Sequence, residues 1–221
     1  MVLKAGTMNQ SDANETTEIR TALETRCQVR LDKDLRDLLK ANCERMRVTV
    51  QRFGNHVEQV AILFPGLRTA FINKNTREKI VCRQNVIAII IPNAHEFPFP
   101  LGEPAVMLLY PDLQPPLAPY LGGVKWFPGP DGKNIGLPCL WRVWSPQNHG
   151  LLFVAQQVYR LLTVDGVKNA PTDSPNRDAA TYWVEQKDFK VPLDDRFETL
   201  CGTAPVREAA NGFKLSSLEE R

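Results

Sequence analysis

Apolar residues near the N-terminus recur at intervals of three, four and seven positions, from Ile19 to about Met46. The residues that form this stripe are Leu31, Leu35, Leu38, Leu39 and Met46. This spacing brings apolar side chains onto one face of a helix, with charged residues between them. The pattern predicts a long amphipathic helix with an interruption near Asp32.

From Val48 to about Leu109 the pattern changes to short apolar runs separated by turn residues. The runs cover residues 57–64, 69–73, 79–81, 86–91 and 105–110. Connections this short leave no room for crossover helices, so the runs predict an antiparallel meander of four or five strands. The run from Val86 to Ile91 is apolar at every position, and we expect a central strand covered on both faces.

Prolines are dense from Pro92 to Pro146, with clusters at residues 97–100, 114–119 and 127–130. Because proline fixes φ and has no N–H to donate, we expect ordered loops here rather than helix or central strand. The helical period returns over residues 151–162, and a last helix is predicted from residues 174–176 through Trp183. This order of elements predicts a segregated α+β domain.

The composition is that of a globular chain, with 43% hydrophobic residues, 24% charged residues and a net charge of +2. No strong basic field points to nucleic acid, and no apolar run is long enough to make a membrane a partner. The first residues lack the apolar core of a signal peptide. We predict a flexible N-terminus over residues 1–17, one domain over 18–192 and a C-terminal extension over 193–221.

The chain has five cysteines, and these are Cys27, Cys43, Cys82, Cys139 and Cys201. Their odd number and wide spacing argue against a disulfide framework, and no close pair suggests a structural zinc site. We therefore expect free thiols in a reducing cytoplasm, most of them buried as small apolar side chains. No metal or cofactor is expected.

Several short motifs follow one another along the middle and the second half of the chain. They are Ile91–Pro92, Phe97–Pro98, Glu103–Pro104 with the strand after it, Gly136–Leu137–Pro138–Cys139–Leu140, Trp144–Ser145–Pro146, and residues 174–180. In this order, and with these predicted elements around them, they resemble the ubiquitin-conjugating enzyme family over roughly residues 20–190. The resemblance rests on these motifs in this order rather than on any one of them.

The resemblance implies a UBC-like fold with an N-terminal helix, a four-stranded antiparallel meander, an active-site loop and C-terminal helices. It implies that Cys139 carries a ubiquitin-like modifier as a thioester and transfers it to an amine of a target. The implied partners are an activating enzyme, the ubiquitin-like protein and the target protein. The chain resembles bacterial members from conjugation operons that act in antiphage defence more than the eukaryotic enzymes, because such bacterial members also lack the family's upstream His-Pro-Asn.

In place of that His-Pro-Asn the chain has Trp126–Phe127–Pro128–Gly129–Pro130. The family's asparagine helps to stabilise the oxyanion that forms when an amine attacks the thioester, so another group must act here. The candidates are His149, Asn148, Asn134 and backbone N–H groups near Cys139. His149 lies ten positions after the cysteine, in a loop before a helix, from which it could fold back toward the thiol.

Cysteine suits a carrier because its thiolate is both a strong nucleophile and a good leaving group. Two other functions remain open. The chain could be an inactive module that binds a ubiquitin-like protein or scaffolds a complex, or it could be a cysteine hydrolase that pairs the thiol with a histidine. On the first helix, Arg30, Lys33, Arg36 and Lys40 are expected to be exposed, either to contact an activating enzyme or simply as a solvated face.

Overall fold

The structure is a computed structural model of the 221-residue chain. It describes residues 10–73, 76, 78–94, 98–110, 117–118, 121–122, 134–138, 144–165, 176–186 and 190–200. For residues 10–16, 72, 110, 122, 134–138 and 178 it describes the backbone only.

A single long helix, α1, runs from Gln10–Lys40. It has no interruption near Asp32, begins inside the segment expected to be flexible, and ends before Met46. Leu31, Leu35 and Leu38 are buried, as the apolar stripe predicts, whereas Leu39 is 45% exposed. Leu39 follows Leu38 directly and so points about 100° away around the helix.

In the described part of the chain, six strands form one antiparallel sheet in the order β1-β2-β3-β4-β6-β5. They are β1 Arg47–Phe53, β2 His56–Ile72, β3 Lys79–Ile91, β4 Ala105–Tyr110, β5 Leu121–Gly122 and β6 Asn134–Pro138. The first four pair in chain order, which confirms the antiparallel meander and the α+β class. Runs predicted as separate short strands are continuous, with a bulge between Phe64 and Leu67 in β2.

Strand β6 contradicts the expectation that the proline-rich stretch holds no central strand. It lies between β4 and β5, and Gly136 pairs with Leu108. The segment 134–138 contains proline only at its last position, so its N–H groups remain available for pairing. The expectation was wrong because it used the density of proline over more than fifty residues, whereas a five-residue strand needs only a short stretch without proline.

Strand β3 is not covered on both faces, contrary to the expectation. Val86, Ala88 and Ile90 are fully buried, whereas Ile87, Ile89 and Ile91 are only partly buried. The partly buried face continues sideways, because Ile87 pairs with both Leu63 and Leu109. An all-apolar run cannot distinguish two covered faces from one covered face and one open apolar face, and this was the reason for the wrong prediction.

Two of the later helices match the sequence prediction closely. Helix α2 spans Leu151–Thr163 and begins after Gly150, while Val164 ends it in the left-handed conformation at φ 61°. Helix α3 spans Arg177–Glu185, and the Asn176 side chain accepts a hydrogen bond from the Ala179 N–H at 3.2 Å. The short helix α4, Phe197–Leu200, had no predicted counterpart.

The segment before α4 is fixed to the rest of the fold by ion pairs. Arg45 binds both Asp194, at 2.7 Å, and Asp195, and the Arg68 N–H donates to Asp194 at 2.8 Å. Tyr159 of α2 donates to the carbonyl of Asp195 at 2.9 Å. Residues 190–200 thereby close over α2 and the start of the sheet.

Cysteine pairing also departs from the sequence prediction. Cys27 and Cys82 have free thiols, but Cys43 is disulfide-bonded to a cysteine outside the described residues. Its Sγ atom lies 3.8 Å from the carbonyl oxygen of Leu200. The expectation that all five cysteines are free thiols is therefore wrong. It relied on their wide spacing, but residues far apart along the chain can lie close together in the fold. Among the helices described, none has the length and apolar character needed to cross a membrane.

Candidate functional site

The segments that carry the predicted motifs lie together at one end of the sheet. Because β6 runs antiparallel to β4, its last residue, Pro138, lies beside the start of β4 near Ala105. Strand β3 ends at the same end of the sheet, since Ile91 pairs with Ala105. Strand β6 therefore ends, one residue before Cys139 in the sequence, at the end of the sheet where β3 ends and β4 begins.

The Trp144–Ser145–Pro146 segment is anchored at this same end of the sheet. The indole Nε1 of Trp144 donates to the carbonyl of Pro100 at 3.3 Å, and its ring lies 5.5 Å from the Phe99 ring. Phe99 is in turn held by a hydrogen bond from its N–H to Asn93 Oδ1 at 3.0 Å. Two segments that are more than forty positions apart in sequence are thus in direct contact.

His149 follows this anchor and is held from two sides. Its ring stacks on the Phe153 ring of α2, with centroids 3.7 Å apart and planes 4° from parallel. Its Nδ1 atom accepts a hydrogen bond from the Ser145 N–H at 2.8 Å. The Ser145 carbonyl accepts from the His149 N–H at 2.8 Å, so the loop closes on itself.

The hydrogen bond from Ser145 assigns the tautomer of the His149 ring. A nitrogen that accepts from an N–H uses its lone pair and bears no proton, so in the neutral ring the proton is on Nε2. In this form Nε2 is a hydrogen-bond donor and not a base.

The three site residues predicted from sequence differ in how far the structure describes them. His149 is described with its side chain. Asn134 is the first residue of β6, opposite Tyr110, and only its backbone is described. Cys139 lies outside the described residues, directly after the end of β6. Asn148, a further candidate, is exposed and donates through Nδ2 to Ser145 Oγ at 3.2 Å.

Sequence reasoning missed the part of this site that comes from α1. Arg30, expected to be an exposed contact residue, donates from Nη2 to the carbonyl of His149 at 3.1 Å. Its Nε atom binds Asp34 Oδ1 at 3.0 Å. The two residues of the first contact are 119 positions apart, and no local pattern could have revealed it.

Among the residues that the structure describes, no three acidic, histidine or cysteine side chains are grouped as metal ligands would be. Burial raises the pKa of the Cys27 thiol, with a smaller contribution from Glu24. Cys27 is therefore a poor nucleophile near neutral pH. Comparisons with family models, with curated proteins and with solved structures returned no match.

Proposed function

We propose that this chain is a ubiquitin-conjugating-like carrier that holds a ubiquitin-like modifier as a thioester on Cys139 and transfers it to an amine of a target protein. The observation that carries the proposal is that β6, the Trp144 segment and the His149 segment lie at one end of the sheet. Strand β6 leads into Cys139 there, and the Trp144 and His149 segments are anchored beside it. The order of elements in the α+β fold supports the finer assignment to a UBC-like fold.

The reaction has two balanced steps. In the first, the Cys139 thiolate attacks the thioester carbonyl of the modifier on an activating enzyme, and that enzyme's thiolate leaves. In the second, an amine attacks the Cys139 thioester, loses a proton to water or buffer, and expels the Cys139 thiolate. Both steps pass through an oxyanion, which a hydrogen-bond donor stabilises.

His149 supplies such a donor in this proposal. Its Nε2–H is fixed by the Ser145 N–H and by the stack on Phe153, so it needs little reorganisation when the oxyanion forms. This role replaces the asparagine of the family's missing motif. It leaves the attacking amine to be deprotonated without a base from the histidine.

The same tautomer argues against the cysteine hydrolase. A histidine base in such an enzyme keeps its proton on the nitrogen that faces an acceptor and offers the other nitrogen to the nucleophile. Here Nδ1 faces a donor, the Ser145 N–H, which gives the opposite arrangement. The alternative that remains is a catalytically inactive UBC-like module that binds a ubiquitin-like protein or scaffolds a complex.

The proposed setting follows the resemblance rather than the geometry. It comprises an activating enzyme, the ubiquitin-like modifier and a target, in a bacterial antiviral defence system, with no cofactor. The proposed location is the cytoplasm. The Cys43 disulfide is at odds with a persistently reducing compartment, so its redox state in cells bears directly on this part of the proposal.

A chemical acyl donor tests the carrier without knowledge of the modifier. The protein is incubated with the N-acetylglycyl thioester of mercaptoethanesulfonate, and intact mass is measured before and after free lysine is added. We expect one acyl adduct that lysine removes. Cys139→Ala should lose it, whereas Cys27→Ala and Cys82→Ala should keep it.

An adduct that persists in Cys139→Ala, or no adduct at all, would support the inactive module instead. Among loaded proteins, His149→Phe should release the acyl group to lysine about 100-fold more slowly, as expected for the loss of an oxyanion donor. His149→Gln retains a side-chain N–H and should lie between this variant and the parent chain.

A further inference from the structure

The His149 backbone is held by a side chain from the other end of the sequence. Arg30, on α1, reaches across to the His149 carbonyl at 3.1 Å while its Nε pairs with Asp34 at 3.0 Å. Asp34 is 8% exposed and Arg30 is 31% exposed. The pair is therefore mostly shielded from water, and its hydrogen bonds are stronger than those of a surface ion pair.

Asp34 also touches the residue after His149. A Cβ atom placed on Gly150 would lie 2.7 Å from Asp34 Oδ2 and 2.8 Å from Asp34 Cγ. Any side chain at residue 150 would force the Asp34 carboxylate to move, so glycine lets the carboxylate lie against the chain at the start of α2. The backbone at residues 149–150 is thus held by a hydrogen bond and by close packing.

Stability does not explain why this aspartate is present. Its Oδ2 atom is buried without a hydrogen-bond partner among the described residues. Burial raises the pKa of Asp34, and Asp37 adds to the effect, whereas Arg30 and Lys33 lower it without cancelling the rise. A buried, incompletely paired carboxylate is unfavourable for folding, and such groups are found preferentially at functional sites.

We propose that Arg30 and Asp34 are positioning residues that fix the backbone of His149 and thereby support its proposed role as the oxyanion donor. The Ser145 N–H and the Phe153 ring set the rotation of the imidazole. Arg30 and Asp34 set where the Cα atom lies. Both are needed, because a donor acts on an oxyanion only over a narrow range of distance.

This inference rests on the proposed function for its consequence in the reaction. Displacing a reacting or stabilising group by about 1 Å lowers a rate about 100-fold. Loading of Cys139 from a small thioester and release to lysine both pass through oxyanions, so both should slow. Thiolate exchange is intrinsically fast, and release to the weaker amine nucleophile should therefore be the step that depends more strongly on His149.

The test uses the full chain and the N-acetylglycyl thioester as acyl donor. Arg30→Met removes both hydrogen bonds but keeps the apolar stem, and Arg30→Lys restores a cation. Arg20→Met is the matched control, because Arg20 makes the same kind of pair, with Glu24 at 3.0 Å, on an exposed part of the same helix. We expect release to lysine to fall about 10- to 100-fold in Arg30→Met, to recover partly in Arg30→Lys, and to be unchanged in Arg20→Met.

Asp34→Asn separates positioning from stability. Asparagine keeps an oxygen for Arg30 but carries no charge, so the protein should be at least as stable while release to lysine slows. A purely structural role would lower stability and rate together. That result, or release in Arg30→Met at the rate of the parent chain, would overturn the inference.

A second readout does not depend on the carrier reaction. The ¹⁵N chemical shifts of the His149 ring should show Nε2 protonated and Nδ1 unprotonated in the parent chain, and they should move in Arg30→Met but not in Arg20→Met. Unchanged shifts in Arg30→Met would refute the positioning role. If the shifts move as expected but no acyl group is ever loaded, the proposed function fails and the structural coupling stands.

Discussion

Asp34 and Asp194 are both almost completely buried, with side chains 8% and 3% exposed, but their surroundings differ. Among the described residues, Asp34 pairs with Arg30 through one oxygen, and its Oδ2 atom has no hydrogen-bond partner. Asp194 is bound by Arg45 and by the N–H groups of Arg68 and Asp195. Burial alone raises the pKa of Asp194 as well, but these hydrogen bonds outweigh it and the pKa is lowered.

For Asp34 the raised pKa means that folding disfavours the ionised form. Its unfavourable contribution is absent at pH values below the unfolded pKa of about 3.9 and grows as the pH rises through the folded pKa. Asp34→Asn should therefore raise the free energy of unfolding by about 1 kcal/mol at neutral pH. Urea unfolding at several pH values should show this difference disappear in acid, and a less stable variant at pH 7 would contradict it.

For Asp194 the sign is opposite. Its lowered pKa contributes stability that is fully present above the unfolded pKa of about 3.9 and is lost as the pH falls through the folded pKa. Asp194→Asn should lower the free energy of unfolding by about 1–3 kcal/mol at neutral pH, and the loss should shrink in acid. The same urea titrations measure both variants, and two curves of the same sign would show that the assignment of charges is wrong.

At the scale of elements, local pattern predicted what local forces determine. Helix α2 and strand β4 lie where the apolar period and the flanking turns placed them, and Asn176 begins α3 as its type suggests. Strand β6 was missed because five residues pair only in the presence of β4, which is far away in sequence. The Arg30 contact was missed for the same reason, and only His149 of the predicted site residues can be judged by its side chain.

The two faces of β3 provide a direct test of the sheet. Ile90 is fully buried, whereas its neighbour Ile89 faces the opposite, partly open side. Ile90→Ala should lower the free energy of unfolding by about 2–5 kcal/mol through lost burial and a cavity. Ile89→Ala should cost about 1 kcal/mol or less. Equal losses would mean that the open face of β3 is covered in solution.

At the scale of the whole molecule, the end of the described chain is tied to the end of α1. The Cys43 Sγ atom lies 3.8 Å from the carbonyl of Leu200, and two residues further on Arg45 binds Asp194 and Asp195. Since Cys27 and Cys82 are free, the disulfide partner of Cys43 is Cys139 or Cys201. Cys201 directly follows Leu200, so we predict that Cys201 is the partner and that Cys139 remains a thiol.

Peptide mapping without reductant identifies the pair. We expect a peptide containing Cys43 to be linked to one containing Cys201, and Cys139 to react with a thiol-directed alkylating agent. Reduction should lower the free energy of unfolding by about 2–4 kcal/mol, because the bond closes a long loop. A link between Cys43 and Cys139 would instead mean that the proposed carrier is oxidised and must be reduced before it can act.

The hydrogen bond from Arg30 to the His149 carbonyl makes α1 more than a support for the sheet. The first part of this helix is exposed, with Ile19 and Leu23 turned to solvent, while its middle holds the loop that carries His149. A protein that binds the exposed part and shifts the helix changes the alignment of the loop through Arg30 and Asp34. Linkage is reciprocal. If binding to the helix favours one state of the loop, an acyl group that favours the same state raises the partner's affinity for the helix by the same factor. Release of the acyl group then lowers that affinity again.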